Sequence, residues 1–163
     1  VLDFDRLATW RRGDQPYGSL AQSSEQVEED RFSAKLVYDF PATTDNFVVF
    51  LRNPPAPIPG QPKALTLWVY GDGSDHFLNI WVRDSAGEVR QFTFGQLKPT
   101  NANAWQRMTV ALDPTAGWPQ GSISGTDNGQ LDYPISLLAL VLDAVGEQAS
   151  SGAIYVDELA VAQ

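Results

Sequence analysis

The sequence predicts an all-β protein, two antiparallel sheets packed face to face as a jelly-roll β-sandwich. Three observations carry that expectation. At least eight short runs alternate apolar and polar residues, clusters of Gly, Pro, Asn and Asp separate them, and no strongly amphipathic helical stretch or internal repeat interrupts the series. Alternation at period two sends successive side chains to opposite faces of a strand, and many short strands spaced by turns pack as two sheets rather than as βαβ units. With 163 residues, one domain over 1–163 is expected, long enough to bury a core without bridges or metals.

The segment Val1–Arg12 opens with Leu2 and Phe4 in alternation ahead of Trp10 and reads as a strand entering the Gly13-Asp14-Gln15-Pro16 turn. The acidic run Ser23–Asp30 reads as a solvated loop, with carboxylates at Glu25, Glu28, Glu29 and Asp30. Phe32–Phe40 and Phe47–Arg52 follow as strands rich in β-branched and aromatic residues. Five prolines between Asn53 and Pro62 argue against a central strand there, so an ordered extended connection across one end of the sandwich is expected.

Leu65–Phe94 then spells three strands separated by a Gly-rich turn and an Asp-Ser-Ala-Gly turn. Trp105–Leu112 is the next strand, and Asp113–Tyr133 is a long loop carrying Trp118; long ordered loops in compact domains tend to be functional. The last two strands are Ile135–Leu142 and Ala153–Ala162, although Ile135–Ala144 also fits a helix.

The central strands hold the chemistry. Leu65, Leu67 and Val69 fall on one face of the first, and Leu78, Ile80 and Val82 on one face of the second, which makes them core residues. Their other face carries Thr66, Trp68 and Tyr70 beside Asn79, Trp81 and Arg83, where an ordinary solvated sheet would show small polar residues. A pyranose ring has a flat face of C–H groups that stacks on an indole or phenol, and a hydroxyl rim that suits planar donors and acceptors. Trp68, Tyr70, Asn79, Trp81 and Arg83 therefore read as a sugar-binding platform, with His76 in the adjoining turn at its edge. A covering loop would instead make Trp68 or Trp81 part of a second small core.

Composition narrows the partners. A net charge of −9, with 11 basic residues spread along the chain, argues against nucleic acid and leaves neutral polysaccharides and cations. No apolar run approaches the roughly 20 residues that span a bilayer, so membrane insertion is not expected. The N-terminus lacks a basic and an apolar signal region, and the chain reads as a mature or excised domain. The absence of cysteine excludes disulfides and thiolate metal sites. A surface rich in Thr, Ser, Asn, Gln and Asp leans toward an extracellular setting, and a monomer is expected.

The order of these signals resembles that of carbohydrate-binding modules with a galactose-binding-like jelly-roll fold. The matching elements are LDFD ahead of Trp10, then KLVYDF, LTLWVYGDGSDHFLNIWVRDSAG, WQRMTVAL and the terminal SGAIYVDELAV, an order that spans nearly the whole chain. The paired ends are more specific than the glycine turns. The resemblance implies a non-catalytic module, joined to a glycoside hydrolase or another extracellular enzyme and holding it on a β-linked glycan such as β-glucan. It also implies a structural Ca²⁺ joining the first and last strands, with Asp3, Asp5 and Asp157 as side-chain ligands and the loop Glu25–Asp30 adding oxygens. Hard oxygen ligands suit that ion, while the opposing reading leaves the three aspartates solvated at strand ends. The family binds either along a sheet face or at edge loops, and the sequence does not choose between them.

Catalysis finds little support. His76 is the single histidine, with no cluster for a metal hydrolase and no nucleophile elbow around it. Asp72 and Asp75 are the closest carboxylate pair, but in a tight turn they are expected to bond the backbone. The competing functional reading is an accessory or spacer β-sandwich of a multidomain surface protein with no sugar ligand.

Overall fold

A computed structural model describes residues 1–162, and it is an antiparallel two-sheet sandwich, as the alternation predicts. One sheet has six strands in the order β1 (Trp10–Arg12), β4 (Phe47–Ile58), β10 (Ile135–Asp143), β6 (Phe77–Arg83), β7 (Val89–Gln96) and β9 (Gly121–Ser124). The other has five, in the order β2 (Gly18–Ser23), β3 (Ser33–Phe40), β11 (Ser150–Val161), β5 (Ala64–Tyr70) and β8 (Trp105–Ala111). Among the described residues the one helical element is the 3₁₀ turn Pro99–Asn101, and no helix is long and apolar enough to cross a membrane.

The core lies between the inner faces. Leu36, Tyr38, Phe40, Leu65, Leu67 and Val69 from the five-stranded sheet meet Phe50, Leu78, Ile80, Val82 and Phe92 from the six-stranded one. Truncating a fully buried phenylalanine such as Phe50 or Phe92 to alanine removes packing worth about 3–5 kcal/mol. The six core positions predicted on β5 and β6 are all buried, but they face each other across the sandwich.

That arrangement corrects the expected neighbourhood of the two strands. The connection Gly71–His76 does not close a hairpin; its backbone is tied to Leu97 and Asn103, and it carries the chain from one sheet to the other. The next connection is a true hairpin. There the Asp84 carboxylate accepts the amides of Ala86 and Glu88, both at 3.0 Å, and β6 pairs with β7.

Three local expectations also change. β4 runs on through Ala56 and Ile58, paired with β10, despite Pro54, Pro55 and Pro57. Proline is tolerated there because β1 covers β4 only as far as Arg52, so the later residues lie on a free edge. Ile135–Asp143 is a strand and not a helix, pinned between β4 and β6 with a bulge after Leu137. The N-terminus contributes a single bridge between Leu2 and Leu159 and a short strand beginning only at Trp10.

Candidate functional site

The predicted sugar platform is divided by the fold. Ile80 and Val82 point into the core, so Trp81 and Arg83 stand on the outer face of the six-stranded sheet. Leu67 and Val69 do the same for β5, which leaves Trp68 and Tyr70 on the outer face of the five-stranded sheet, on the opposite side of the molecule. Tyr70 there meets Tyr155 at 5.7 Å and Trp105 at 5.6 Å, both edge to face. Rings that present faces and edges to one another leave less flat surface for a sugar. Trp68 sits in register between Asp157 and Arg107.

His76 and Asn79 do not face solvent. Nδ1 of His76 accepts the amide of Val145 at 3.0 Å, Nε2 lies 3.0 Å from Ser150 Oγ, and the ring packs edge to face against Tyr38 and Phe40. Burial lowers its pKa, against the pull of Asp72 and Asp75, so it is a neutral core residue. Asn79 is fully buried beneath the outer face between Phe77 and Trp81, and neither polar atom of its amide has a partner among the described residues. Asp72 behaves as predicted, accepting the Ser74 amide at 3.1 Å, and also receives the Tyr38 hydroxyl.

A groove crosses the outer face of the six-stranded sheet. Three depressions of about 280, 250 and 260 Å³ follow one another along β6 and its neighbours. The first holds Phe77 and Trp118 with the carboxylates of Asp45, Asp143 and Glu147. The middle one holds Trp81 with Phe47, Val49 and Leu51, walled by Gly13–Gln15. The last holds Arg83 with Arg11, Arg52 and Leu51. At about 3.3 Å per residue, Phe77 to Arg83 spans roughly 20 Å.

The floor is apolar and the walls are fastened. Val49, Ala139 and Val141 form a small second cluster with Phe47, Leu51 and Trp81 packed against it. Gln91 joins the floor to one wall: its Oε1 accepts the Trp81 indole N–H at 3.0 Å and its Nε2 donates to the Pro119 carbonyl at 2.6 Å. The neighbouring Trp118 is 82% exposed and meets Phe77 edge to face at 5.4 Å. Arg90, buried beside Glu88, holds the same long loop by donating to the Pro114 carbonyl at 2.8 Å and to Asp127. Gly125 is required where this loop passes Glu88, since its φ is +83° and a Cβ would come within 2.9 Å of Glu88 Cα.

Trp118, Phe47 and Phe77 were outside the sequence-derived set. A tryptophan between Gly117 and Pro119 in a long loop is the signal the sequence offers. The carboxyl of Asp143 is raised above its ordinary pKa by burial and by the charge of Asp45.

A second cluster lies where the N-terminal segment and the loop before β3 approach β11. Asp3, Asp5 and Asp30 each bring a carboxylate oxygen within 4.8 Å of the others. Asp30 belongs to the loop Glu25–Asp30, which the family resemblance expects to add oxygens to such a site. Asp157, wholly buried, accepts the amides of Glu28 at 3.2 Å and Glu29 at 2.9 Å through Oδ2. Its Oδ1, like Asp5 Oδ1, is buried with no partner among the described residues. Burial raises the pKa of Asp5, and the charges of Asp3 and Asp30 raise it further. Burial likewise raises Asp157, with the Asp5 charge adding and the Glu29 and Glu28 amides opposing. Asp30, Phe4 and Glu158 adopt positive φ values of 60°, 61° and 44°, an unusual density of left-handed non-glycine residues around one site. The donor set is all oxygen, which fits a hard cation such as Ca²⁺.

The sequence matches no protein-family model and no curated protein. The fold, by contrast, matches solved structures over nearly the whole chain. A structure solved for the "promiscuous specificity" of carbohydrate-binding modules of the β-sandwich superfamily aligns at a TM-score of 0.63 and 11% identity, covering 98% of this chain and 59% of that one. The family 11 carbohydrate-binding module from Clostridium thermocellum, in complex with a β-1,3-1,4-mixed-linked tetrasaccharide, aligns at 0.61 and 13%, covering 99% and 92%. An arabinose-bound α-L-arabinofuranosidase aligns at 0.54 and 12%, covering 94% of this chain and 23% of the enzyme. The chain thus has the β-sandwich fold of carbohydrate-binding modules.

Proposed function

We propose that this is a carbohydrate-binding module whose groove on the six-stranded sheet holds a β-linked glycan such as β-glucan. The observation that carries this reading is the pairing of Trp81 on the floor with the exposed Trp118 on the wall, two indoles along one groove with an apolar floor and polar ends. Sugar rings stack on such surfaces while their hydroxyls meet the carboxylates and guanidiniums at either end. The β-linked tetrasaccharide held by the family 11 structure of the same fold supports the glycan class.

The module acts without chemistry of its own and is carried by an extracellular polysaccharide-active enzyme. A fold-match covering only 23% of a glycosidase chain supports attachment to a catalytic unit. Asp45 and Asp143 are the carboxylates best placed to argue otherwise, because they line the groove and one is shifted toward protonation. A Ca²⁺ ion held by Asp3, Asp5, Asp30 and Asp157 fastens the N-terminus and the Glu28–Glu29 loop to the end of β11. Two orphaned carboxylate oxygens, the crowding of Asp3, Asp5 and Asp30, and the charge of Asp5 felt at Asp157 support that assignment.

Affinity electrophoresis through gels containing β-glucan, xylan, mannan or galactan tests the binding reading. Retardation in a β-glucan gel, with no reducing ends released on incubation, is the expected outcome. Free migration in all four gels would mean a spacer domain, and released reducing ends would mean an enzyme.

A further inference from the structure

The groove is electrically polar along its length. One end carries Asp45, Asp143 and Glu147, and the other carries Arg11, Arg52 and Arg83 around a single depression of about 260 Å³. In a chain of net charge −9 with only 11 basic residues, gathering three of them there needs a reason. Among the described residues none of the three lies within 4.0 Å of a carboxylate, although Arg90, Lys35 and Lys98 all do. Arg52 is steadied by donating to the Pro54 carbonyl, and Leu51, Pro55 and Leu138 supply an apolar wall beside the charges.

We propose that this arginine end binds an anionic sugar substituent, a uronate carboxylate or a sulfate ester, on a unit of the glycan lying in the groove. The inference rests on the groove being the glycan site. Guanidinium is the planar, permanently charged, multidentate donor that matches an oxyanion, and partners that bring an anion relieve the mutual repulsion of three cations. The stem and wall carbons beside the charges accept the C–H face of the same sugar unit. The acidic end faces the other way along the chain, so the groove reads direction: the charged unit enters at Arg83 and the neutral remainder runs over Trp81 toward Trp118.

Calorimetric titration with four ligands tests this: a β-linked gluco-oligosaccharide, its form oxidised at C6 of the terminal unit to a uronate, the methyl ester of that uronate, and a sulfated analogue. The uronate is expected to bind at least about tenfold more tightly than its ester at low salt, with the gain shrinking as salt screens it. In the Arg11→Gln/Arg83→Gln double variant, altered at two exposed side chains, the protein should melt like the parent and the ratio of uronate to ester affinity should fall to about one, whatever happens to its affinity for the neutral sugar. An equal gain for the sulfated analogue assigns the end to oxyanions in general, and a gain for the uronate alone assigns it to a planar carboxylate. Equal binding of uronate and ester, or a gain that survives in the double variant, overturns the proposal while leaving the groove as a glycan site. No binding by any of the four overturns both.

Discussion

Trp68 and Trp81 stand on opposite outer faces of the sandwich, although they occupy equivalent places on consecutive strands. Each is flanked by two core residues on its own strand, so each points outward, and the Gly71–His76 crossover sends those outward directions apart. One groove cannot use both. Trp81 shares its face with Phe47, Phe77 and Trp118, whereas Trp68 shares its own with Tyr70, Trp105 and Arg107.

Trp118→Ala should separate binding from stability. The ring is 82% exposed and its one aromatic contact is an edge-to-face meeting with Phe77, so stability should change by no more than about 0.5 kcal/mol. Affinity for a β-linked oligosaccharide should fall about tenfold or more, since exposed aromatic anchors carry a large share of binding energy. Denaturant unfolding and calorimetry on the same preparation check the two halves.

Calcium should raise the melting temperature. An ion that binds only the folded state stabilises it by about 2.7 kcal/mol at a hundredfold excess over Kd, which is roughly 5–10 °C for a domain of this size. Asp157→Asn should remove most of that gain, because Asp157 is the wholly buried carboxylate of the proposed site and its Oδ1 has no partner among the described residues. A melting curve unchanged by EDTA, together with a metal-free elemental analysis, would count against the site.

His76 makes stability fall in mild acid. Its pKa in the fold lies below the ordinary 6.5, so as pH drops under that value the unfolded chain takes up a proton that the folded one refuses. The stability it contributes is complete above 6.5 and is lost as pH falls toward the folded value. The contribution to the slope is at most about 1.4 kcal/mol per pH unit. Urea unfolding from about pH 7.5 down to 5.5 should show a steeper loss for the parent than for His76→Gln, which lacks the titrating ring.

The sandwich, the hairpin of β6 and β7 and the inward set on β5 and β6 were legible because alternation and turn chemistry are local signals. What was not legible was pairing at a distance. Nothing within Leu65–Phe94 says that Gly71–His76 crosses the core, because that depends on hydrogen bonds to Leu97 and Asn103. The sequence puts His76 in a polar turn at the edge of the sugar platform, yet Tyr38, Phe40, Val145 and Ser150 come from three other parts of the chain to bury it. The resemblance of the chain's two ends to a known family points to Asp3, Asp5 and Asp157, with oxygens from the loop Glu25–Asp30, as an acidic site. Asp30 joins it only because the loop folds back onto β11.

The central claim is that glycan lies over Trp81 on the six-stranded sheet, and affinity electrophoresis in β-glucan of Trp81→Ala beside Trp68→Ala tests it most directly. Trp81 is half-buried against Val49, Ala139 and Val141, so its truncation should cost about 1–3 kcal/mol, short of a fully buried tryptophan, and leave a folded protein. Loss of retardation corresponding to about thirtyfold or more in affinity is expected for Trp81→Ala, with Trp68→Ala retarded like the parent. Undiminished retardation of a folded Trp81→Ala protein, or its loss in Trp68→Ala, would contradict the account.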